Sequence, residues 1–478
     1  MLDVVVFVLT LAVLFIIGFA PEFVKTISGK GGGIPGPLAL PLFGTSWVFS
    51  FYGYRFNRLH DFYEDLHRRY GPVVKEETIF NYPVISVFEK GDIEKVFRSV
   101  GKYPLRPPTQ AIAHYRKSVP ARYASTGLTN EQGEKWHELR VSLTTVLTSP
   151  KTISDFMPQI EMISDDWVHL LRQKRDANNK IDHLEDLATR IGLEATCALV
   201  LGRRMGFLIE SHECGTATEL AEAVHANFIG CRETQFGFPF WRFFNTTSYQ
   251  KLANSERAIY ELASELIKTA DESTKESAVF QSVLNANIDE REKKAAIVDF
   301  IAAGIHTLKN SFLFFVYQVA MHPDAQRKIL EDPSKAYLKA CLMETFRLTP
   351  TVGSLARILN SDVELSGHMI EAGTIVLCHS NIACKNDANF KDAAKFWPER
   401  WLNEHKTETA SNATFILNPF GSGRRICPGK RFIEQVLPVM LDKTVESFEV
   451  AVDKPLEVEF EFLLSPKGPV NMTFRDRI

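Results

Sequence analysis

The sequence predicts a mainly α-helical protein with a small β region. Long stretches repeat apolar residues with the period of an α-helix, whereas strand-like runs are fewer and short. No Pro-, Gly- or Ser-rich linker interrupts the chain after residue 45. We therefore expect one large domain over residues 46–478, although a chain of 478 residues would on length alone suggest about three domains.

These patterns place the predicted elements along the chain. The helical stretches are Arg55–Arg69, Glu131–Leu147, Asp155–Gln173, His183–Leu201, Tyr249–Ser273, Lys293–Met321 and Ser334–Leu348. The strand-like runs are Val73–Glu76, Val84–Val87, Thr374–Cys378 and Glu457–Leu464. No internal repeat relates one stretch to another, so a solenoid or a propeller is not expected.

The first segment predicts a membrane anchor. The stretch Val4–Ala20 is almost entirely apolar and lies at the lower limit of the roughly 17–25 residues that cross a bilayer. Lys25 and Lys30 follow it and no basic residue precedes it, so the bulk of the protein should face the cytoplasm. The signatures of a cleaved signal peptide and of a mitochondrial presequence are not evident. We expect a transmembrane anchor over residues 1–24 and a Gly/Pro-rich hinge over residues 25–45.

Composition excludes several classes of function. The net charge of −3 provides no basic surface for nucleic acid. The 35 phenylalanines suit a large apolar core and an apolar ligand cavity. The 7 cysteines are scattered and never spaced as C-x-x-C, so neither a disulfide scaffold nor a zinc site is predicted. All except Cys427 are interpreted as small buried hydrophobic residues.

The most informative stretch is PFGSGRRICPGKRF, Pro419–Phe432. It contains the pattern F-x-x-G-x-R-x-C-x-G, whose fixed positions are Phe420, Gly423, Arg425, Cys427 and Gly429. With residue usage of roughly 5% at each position, the pattern arises by chance on the order of once in ten thousand chains of this length. The alternative interpretation is a surface turn that carries a stray cysteine.

Each residue type in this pattern suits a haem-thiolate site. A thiolate at Cys427 would donate electron density to a haem iron and favour cleavage of the O–O bond of oxygen. Backbone N–H groups of a tight turn, and the N-terminus of the helix expected to follow, would keep the sulfur ionised. Gly423 and Gly429 would permit that turn and a close approach to the porphyrin. Arg425 can pair with a propionate, and Phe420 would shield the sulfur from water.

This stretch resembles the cysteine-ligand loop of the cytochrome P450 family, and the chain past residue 34 follows the pattern of that family in order. The resemblance implies the P450 fold, haem b as cofactor with Cys427 as the axial ligand of the iron, and monooxygenase activity with O2. Trp136 and Arg140, one turn apart on a predicted helix, stand where the family supplies propionate partners. Arg357 stands where the family often has another propionate arginine.

Two further motifs of the family are matched. Glu344 and Arg347 form E-x-x-R, and with Arg400 they would build a buried ion network that holds the haem-loop side of the fold. The segment Ala303–Thr307 resembles the oxygen-activation segment small-Gly-x-acid-Thr, with His306 in place of the acid.

The oxygen-activation segment has residues with expected roles. Small residues such as Gly304 would let the helix pass over the haem, and the Thr307 hydroxyl could bond an earlier carbonyl, open a local bulge and anchor a proton-delivering water. His306 either relays protons near neutral pH or is a hydrogen-bonded helix residue that points away from the iron. Lys309 should face outward, because a buried unpaired charge is costly.

Within the family the chain looks most like the mitochondrial group, and within that group like a steroid hydroxylase. The implied partners are a lipophilic substrate, O2, a membrane, and a ferredoxin or a diflavin reductase as electron donor. Ferredoxin-using members carry two lysines one turn apart, whereas here Lys339 is followed by Met343 at the second position. Lys430 and Arg431 could add to a basic docking face.

Several alternatives stay open at this point. The leader favours the endoplasmic reticulum, whereas the resemblance to the mitochondrial group favours a mitochondrial membrane. The Leu330–Tyr337 connection is shorter than the family normally has, so helices on the outside could be missing. Other possible functions are a xenobiotic or fatty-acid monooxygenase, a haem-thiolate enzyme that needs no external oxygen, and a catalytically impaired haem- or sterol-binding protein.

The aromatic segment Gln235–Phe244 suits a substrate entrance beside a membrane.

Overall fold

A computed structural model gives the fold of this protein, and it describes residues 33–41, 43–51, 54–78, 81–209, 215–268, 277–402 and 405–477. The anchor expected over residues 1–24 lies outside the described residues, as does the part of the hinge before residue 33.

Helices make up most of the described structure. The α-helices are α1 (Val48–Phe51), α2 (Leu59–Tyr70), α3 (Lys90–Arg98), α4 (Gln110–Ser118), α5 (Gly133–Thr144), α6 (Pro150–Lys174), α7 (Leu184–Leu201), α8 (Gly215–Phe236), α9 (Thr247–Lys268), α10 (Ala278–Leu284), α11 (Glu290–Ala320), α12 (Pro323–Glu331), α13 (Ala336–Leu348), α14 (Ser380–Ala383), α15 (Lys406–Ala413) and α16 (Lys430–Ser447). Short 3-10 helices lie at Phe56–Arg58, Pro239–Arg242, Pro398–Trp401 and Gly423–Arg425.

The strands form small sheets at the margin of the helical body. They are β1 (Val73–Glu77), β2 (Pro83–Val87), β3 (Lys180–Ile181), β4 (Leu355–Ile358), β5 (Val363–Leu365), β6 (His368–Ile370), β7 (Ile375–Cys378), β8 (Phe448–Ala451), β9 (Val458–Phe460), β10 (Leu464–Pro466) and β11 (Met472–Asp476). A 4-stranded sheet has the order β1-β2-β7-β4, in which β2 and β7 pair in parallel, and a 3-stranded sheet has the order β3-β11-β8. Two antiparallel hairpins, β5–β6 and β9–β10, complete the β region.

The predicted mainly helical class is confirmed, and the patterns miss some elements. Helix α8 carries buried residues on several sides and so shows no single apolar stripe. Helices α3, α4 and α12 have only 9 residues each, too few for an extended periodic pattern. The predicted strand Glu457–Leu464 is wrong as a single element. It is the hairpin β9–β10, whose turn places Phe462 at a φ of 88°.

Helix α11 is the centre of the fold. It packs against α7, α8, α9, α13 and α16, and most of its side chains are buried. Among the described residues it is long and apolar enough to cross a bilayer, but 67% of its most apolar window is buried inside the protein. Helix α11 is therefore a core helix.

The crossing of α11 and α7 depends on two glycines. A Cβ atom at Gly304 would lie 2.2 Å from Oγ1 of Thr196, and one at Gly192 would lie 2.2 Å from the carbonyl oxygen of Ile305. Each helix thus has a glycine where the other helix comes closest. The expectation that Gly304 clears space for a haem is therefore wrong, because Gly304 faces α7.

A buried ion network ties α13 to the segment before the cysteine loop. Oε1 of Glu344 lies 2.7 Å from Nη2 of Arg347 and 3.1 Å from Nε of Arg400. The backbone N–H of Trp397 and the indole N–H of Trp401 also donate to this carboxylate, at 3.0 Å and 2.9 Å. The side chains of Glu344 and Arg347 are fully buried, and that of Arg400 almost so.

The remaining donors of the two arginines bind backbone carbonyls of the same segment. The acceptors are Cys384, Ala393 and Lys395 for Arg347, and Lys391 and Asp392 for Arg400. Nearly all polar atoms of the network are thus paired, which a buried ion network needs in order to be stable.

The short connection between α12 and α13 is a closed turn. The carboxylate of Asp332 accepts hydrogen bonds from the backbone N–H groups of Ser334 and Tyr337, at 3.0 Å and 2.7 Å. Lys335, at a φ of 56°, reaches α16 and places Nζ 2.8 Å from Oδ1 of Asp442. The turn satisfies its own polar groups and fastens α13 to α16 without an additional helix.

We predict that Glu344→Ala lowers the free energy of unfolding by about 3–5 kcal/mol, because two buried guanidinium groups lose their counter-charge. Chemical denaturation of the holoprotein measures this change. Glu331→Ala is the matched control, since Glu331 pairs with Arg327 on the surface and its loss should change the free energy of unfolding far less. Equal losses for the two variants would contradict the prediction.

Candidate active site

The loop before α16 folds as a tight turn around Cys427. The backbone N–H of Cys427 donates to the carbonyl of Phe420 at 2.8 Å, and that of Ile426 donates to the carbonyl of Gly423 at 3.1 Å. Gly421 and Gly423 have φ values of 80° and 67°, which side chains other than hydrogen rarely tolerate. The turn therefore brings the cysteine directly to the N-terminus of α16.

Gly429 is not needed for the turn, contrary to expectation, while its expected close approach to the porphyrin stays a prediction. Its φ of −77° is ordinary for any residue, so the turn does not require a glycine there. A Cβ atom at Gly429 would lie 3.7 Å from Sγ of Cys427, in simple van der Waals contact. The second turn glycine is Gly421, which the motif did not include.

The electrostatics of Cys427 combine burial with several stabilising groups. Burial raises the pKa of the thiol, while the backbone N–H of Gly429, Arg140, the backbone N–H of Lys430 and Arg106 lower it. The side chain is accessible, although protein surrounds it on almost every side, so it faces an internal cleft. Groups of the polypeptide lower the pKa of the Cys427 thiol by less than burial raises it. A metal ion bound to the sulfur would stabilise the thiolate further.

Four arginines surround this cleft: Arg106, Arg140, Arg357 and Arg425. Burial, reinforced by neighbouring arginines, lowers the pKa of Arg425 to about 9 and that of Arg357 to about 10. Burial also lowers the pKa values of Arg106 and Arg140. Over the described part of the chain, none of the four forms an ion pair with a carboxylate. Such a concentration of guanidinium groups fits an anionic ligand.

Arg425 and Arg140 hold the cysteine loop against α5. Nε of Arg425 donates to the carbonyl of Pro104 at 3.0 Å, and Nη2 donates to that of Glu131 at 2.8 Å. Its guanidinium also lies 3.9 Å from the ring centre of the buried Trp136. Nη2 of Arg140 donates to the carbonyl of Ile426 at 2.8 Å. The structure thus brings Trp136, Arg140 and Arg425 together beside Cys427.

Arg357 approaches the loop from the β region. It lies on β4, is buried, and donates from Nη2 to the carbonyl of Ser422 at 3.2 Å. Its Nε is buried and has no hydrogen-bond partner among the described residues. A buried guanidinium with an unused donor needs an acceptor from outside the chain.

Arg106 is the member of this cluster that sequence reasoning missed. It lies in the segment YPLRPPT, which is fixed at two points: Arg425 binds the carbonyl of Pro104, and the backbone N–H of Ile358 donates to the carbonyl of Leu105 at 3.1 Å. Like Cys427, Arg106 is accessible but surrounded by protein. The prolines that flank it were a local indication of a fixed backbone, but its three-dimensional neighbours were not visible in the sequence.

The donor set fits an iron porphyrin. The Cys427 thiol supplies a soft ligand that iron accepts, and the arginines supply donors for two propionates. On α11, Ala303 is exposed and Thr307 half-buried, although both lie in the middle of a core helix. An accessible face inside the core is what a helix that lines a cofactor cleft must present.

The hydroxyl of Thr307 bonds back to its own helix. Oγ1 donates to the carbonyl of Ala303 at 2.7 Å and lies 3.3 Å from that of Gly304. The expected local bulge is absent, because residues 290–320 remain one continuous α-helix. Thr307 therefore stays on the accessible face with its oxygen free to accept a hydrogen bond.

His306 is directed into the packing between helices. Its Nε2 lies 2.9 Å from the carbonyl of Ala221 on α8, and the residue is buried. Burial, with a contribution from Lys309, lowers the pKa of His306 to about 3, so the imidazole is neutral at physiological pH. This geometry supports the interpretation of His306 as a hydrogen-bonded helix residue over that of a proton relay.

Lys309 contradicts the expectation that it faces outward. Only 9% of its surface is exposed, and burial lowers the pKa of its ammonium group.

Phe420 packs edge-on against Phe346 of α13, with ring centres 5.3 Å apart, and so links the cysteine loop to the helix of the ion network.

The comparisons with known proteins agree with this site. Ecdysone 20-monooxygenase of Drosophila melanogaster is 43% identical over 93% of this chain and 88% of that protein. The mitochondrial cytochrome P450 302a1 of the same species is 28% identical over 93% of this chain and 95% of its own length. The probable mitochondrial cytochrome P450 301a1, also of D. melanogaster, is 26% identical over 91% of this chain and 85% of its own length.

A family model described as cytochrome P450 matches residues 34–474. Members of this family are monooxygenases that carry a haem iron, the cofactor for which the cysteine and the arginines are suited. The match over residues 34–474 shows that this chain belongs to the cytochrome P450 family, as a haem-dependent monooxygenase.

Proposed function

We propose that this enzyme hydroxylates a steroid and converts ecdysone to 20-hydroxyecdysone. The observation that carries the proposal is the 43% identity to an ecdysone 20-monooxygenase over 93% of the chain. The compared region covers 93% of the chain and therefore includes the central helix and the cysteine loop. When bound, the haem supplies the activation of O2.

The chain's own residues have separate tasks in this proposal. Cys427 binds the iron, with the N–H groups at the start of α16 directed at its sulfur. The propionates are held by the four arginines of the cleft, Arg106, Arg140, Arg357 and Arg425. The ring of Trp136 packs against the guanidinium group of Arg425. Thr307 holds a proton-carrying water on the oxygen side, while Glu344, Arg347 and Arg400 keep the cysteine loop in place.

Membrane association is part of the proposal. An aromatic patch made of Phe43, Phe238, Phe240, Phe243 and Phe244 is exposed, with Phe243 at 72% and Phe244 at 59%. Its rings stack on one another instead of burying themselves in the core, as in Phe240 and Phe244 with centres 5.9 Å apart. A patch of this kind fits the surface of a bilayer.

We propose that the enzyme lies on the endoplasmic reticulum, because of its apolar leader. The mitochondrial relatives support a mitochondrial membrane as the alternative.

The electron donor is proposed from the face around α13 and α16. Lys339 is exposed, and Met343 is half-buried where ferredoxin-using members carry a second lysine. Arg431 donates a hydrogen bond to the carbonyl of Thr148 at 2.8 Å. Nζ of Lys430 lies 3.7 Å from the carboxylate of Glu434, which partly neutralises the charge of Lys430. A ferredoxin with a reduced affinity, or a diflavin reductase, fits this face.

We expect the purified holoprotein to convert ecdysone to 20-hydroxyecdysone in the presence of O2 and an electron donor, and the product is identified by mass spectrometry. Parallel reactions with a ferredoxin system and with a diflavin reductase show which donor supports turnover. The Cys427→Ser variant should lose the red-shifted Soret band of the reduced carbon monoxide complex and all turnover. Retention of both by that variant would overturn the assignment of Cys427.

We expect Thr307→Ala to raise the hydrogen peroxide released per electron consumed, because the hydroxyl that holds the proton-carrying water is lost. Product per NADPH oxidised should fall by at least about tenfold, since a positioned proton-transfer group typically contributes roughly a hundredfold or more. Thr307→Ser is the matched control, since it keeps the hydroxyl and should keep most of the coupling. Equal coupling in the alanine and serine variants would contradict this role.

A further inference from the structure

The accessible side of α11 carries a carboxylate two turns before the threonine. Asp299, Ala303 and Thr307 follow one another at intervals of four residues on a continuous α-helix. They therefore lie within about 80° of arc on one side of α11, and about 12 Å of helix separates the first from the last. The side chain of Asp299 is 25% exposed. Asp299 thus borders the same cleft as Thr307.

The side of α11 between these two polar groups is apolar. Ala303 is exposed, and Phe300 is half-buried although it packs against the hydrophobic core on both sides of the helix. A carboxylate, an apolar stretch and a hydroxyl therefore succeed one another along the cleft. This order suits an elongated ligand that has an apolar body and a polar group at the end remote from Thr307.

Arg116 of α4 holds the carboxylate of Asp299 in one orientation. Its buried guanidinium donates from Nη2 to Oδ1 of Asp299 at 2.7 Å and from Nη1 to Oδ2 at 2.8 Å. Nε of the same guanidinium donates to Oε2 of Glu256 on α9 at 3.2 Å. A Cβ atom at Gly127, between α4 and α5, would lie 3.2 Å from Oδ2 of Asp299. The carboxylate is therefore fixed by a bidentate pair and by a closely packed backbone.

Asp299 keeps the capacity to accept further hydrogen bonds. An ionised carboxylate offers about four acceptor positions, and Arg116 occupies one on each oxygen. Glu256 differs, because it is only 6% exposed and its Oε1 accepts a hydrogen bond from Nδ2 of Asn227 at 3.0 Å. Of the two carboxylates that share Arg116, Asp299 is therefore the one that a ligand in the cleft can reach.

We propose that Asp299 accepts hydrogen bonds from ring hydroxyl groups of a steroid substrate, at the end remote from the carbon that reacts. This inference rests on the proposed function and names how that substrate is oriented. Ecdysone carries neighbouring hydroxyl groups on its first ring, whereas the carbon that is hydroxylated lies on the side chain, beyond the opposite end of the rings. With the side chain near Thr307, the rings lie along Phe300 and Ala303, and the ring hydroxyl groups reach Asp299.

A carboxylate at this place selects between steroids. A ligand without ring hydroxyl groups would displace water from Asp299 and give no donor in return, and polar sites of this kind reject such ligands strongly. Arg116 contributes indirectly, because an acceptor that is already fixed loses less conformational entropy when the ligand binds. Asp299 therefore determines which steroid binds and in which direction, while Thr307 and Cys427 act at the reacting end.

The test compares ecdysone with two deoxy analogues, one without the hydroxyl groups of the first ring and one without a hydroxyl group of the side chain. Dissociation constants are measured from the spin-state change of the ferric holoprotein on titration. The unmodified enzyme should bind the ring analogue at least about tenfold more weakly than ecdysone, as for a lost hydrogen bond to a charged group. Asp299→Asn should reduce this ratio to about threefold, because a neutral acceptor contributes less. The ratio for the side-chain analogue should stay unchanged.

Glu256→Gln is the matched control. It removes the other carboxylate that binds Arg116 and leaves the accessible side of α11 as it is, so this variant should keep the tenfold ratio. An equal loss of the ratio in Asp299→Asn and Glu256→Gln would mean that both carboxylates act only through the position of α4, and the inference would be wrong. Each substitution leaves Arg116 one counter-charge, and the carbon monoxide spectrum shows that the variant binds haem.

The outcomes separate this inference from the proposed function. Equal affinities of the unmodified enzyme for ecdysone and the ring analogue would overturn the inference without any variant, and conversion of ecdysone would then still support the function. If the ratio depends on Asp299 alone but ecdysone is not converted, the function is wrong and the recognition of ring hydroxyl groups stands.

Discussion

Positive charge is concentrated around Cys427, and the segments that carry it can pack together only if that charge is compensated. The guanidinium groups of Arg106, Arg140, Arg357 and Arg425 come from four separate segments. Burial, with a further contribution from the other three, lowers the pKa of Arg425 to about 9. Without an anionic ligand this arrangement opposes folding. A haem that carries two propionates and an iron for the thiolate resolves the repulsion, so cofactor and fold stabilise each other.

The sides of the central helix α11 have different neighbours. Gly304 and Ile305 face α7, where a glycine on each helix allows close contact, and His306 bonds to α8. Those contacts fix the rotation of α11 and leave Ala303 and Thr307 on the accessible face. The glycine of the motif therefore serves the site indirectly, since it sets the position of the helix that presents the threonine.

Sequence reasoning succeeded where the information was local. The helix period predicted the fold class, and motif order indicated the family through Cys427 and its neighbours. It failed where the deciding neighbour is distant in sequence. Nothing near Arg106 shows that it meets residues of the cysteine loop more than 300 positions later, and nothing near Lys309 shows that it is buried. The reason given for a glycine at Gly304 and the turn expected at Gly429 failed because facing atoms and backbone angles are not readable from the sequence, while the close approach of Gly429 to the porphyrin stays a prediction.

Two buried charged sites in this protein differ in one decisive respect. At Glu344 nearly every donor and acceptor of the ion network is paired within the chain, so the network needs nothing else and acts as structure. At Lys309 the protein surrounds an ammonium group with charges at a distance and pairs it with none of the described residues. Lys309 is two positions after Thr307, so its side chain leaves the opposite side of α11 from the cleft, and its charge belongs to the packing of that helix against its neighbours.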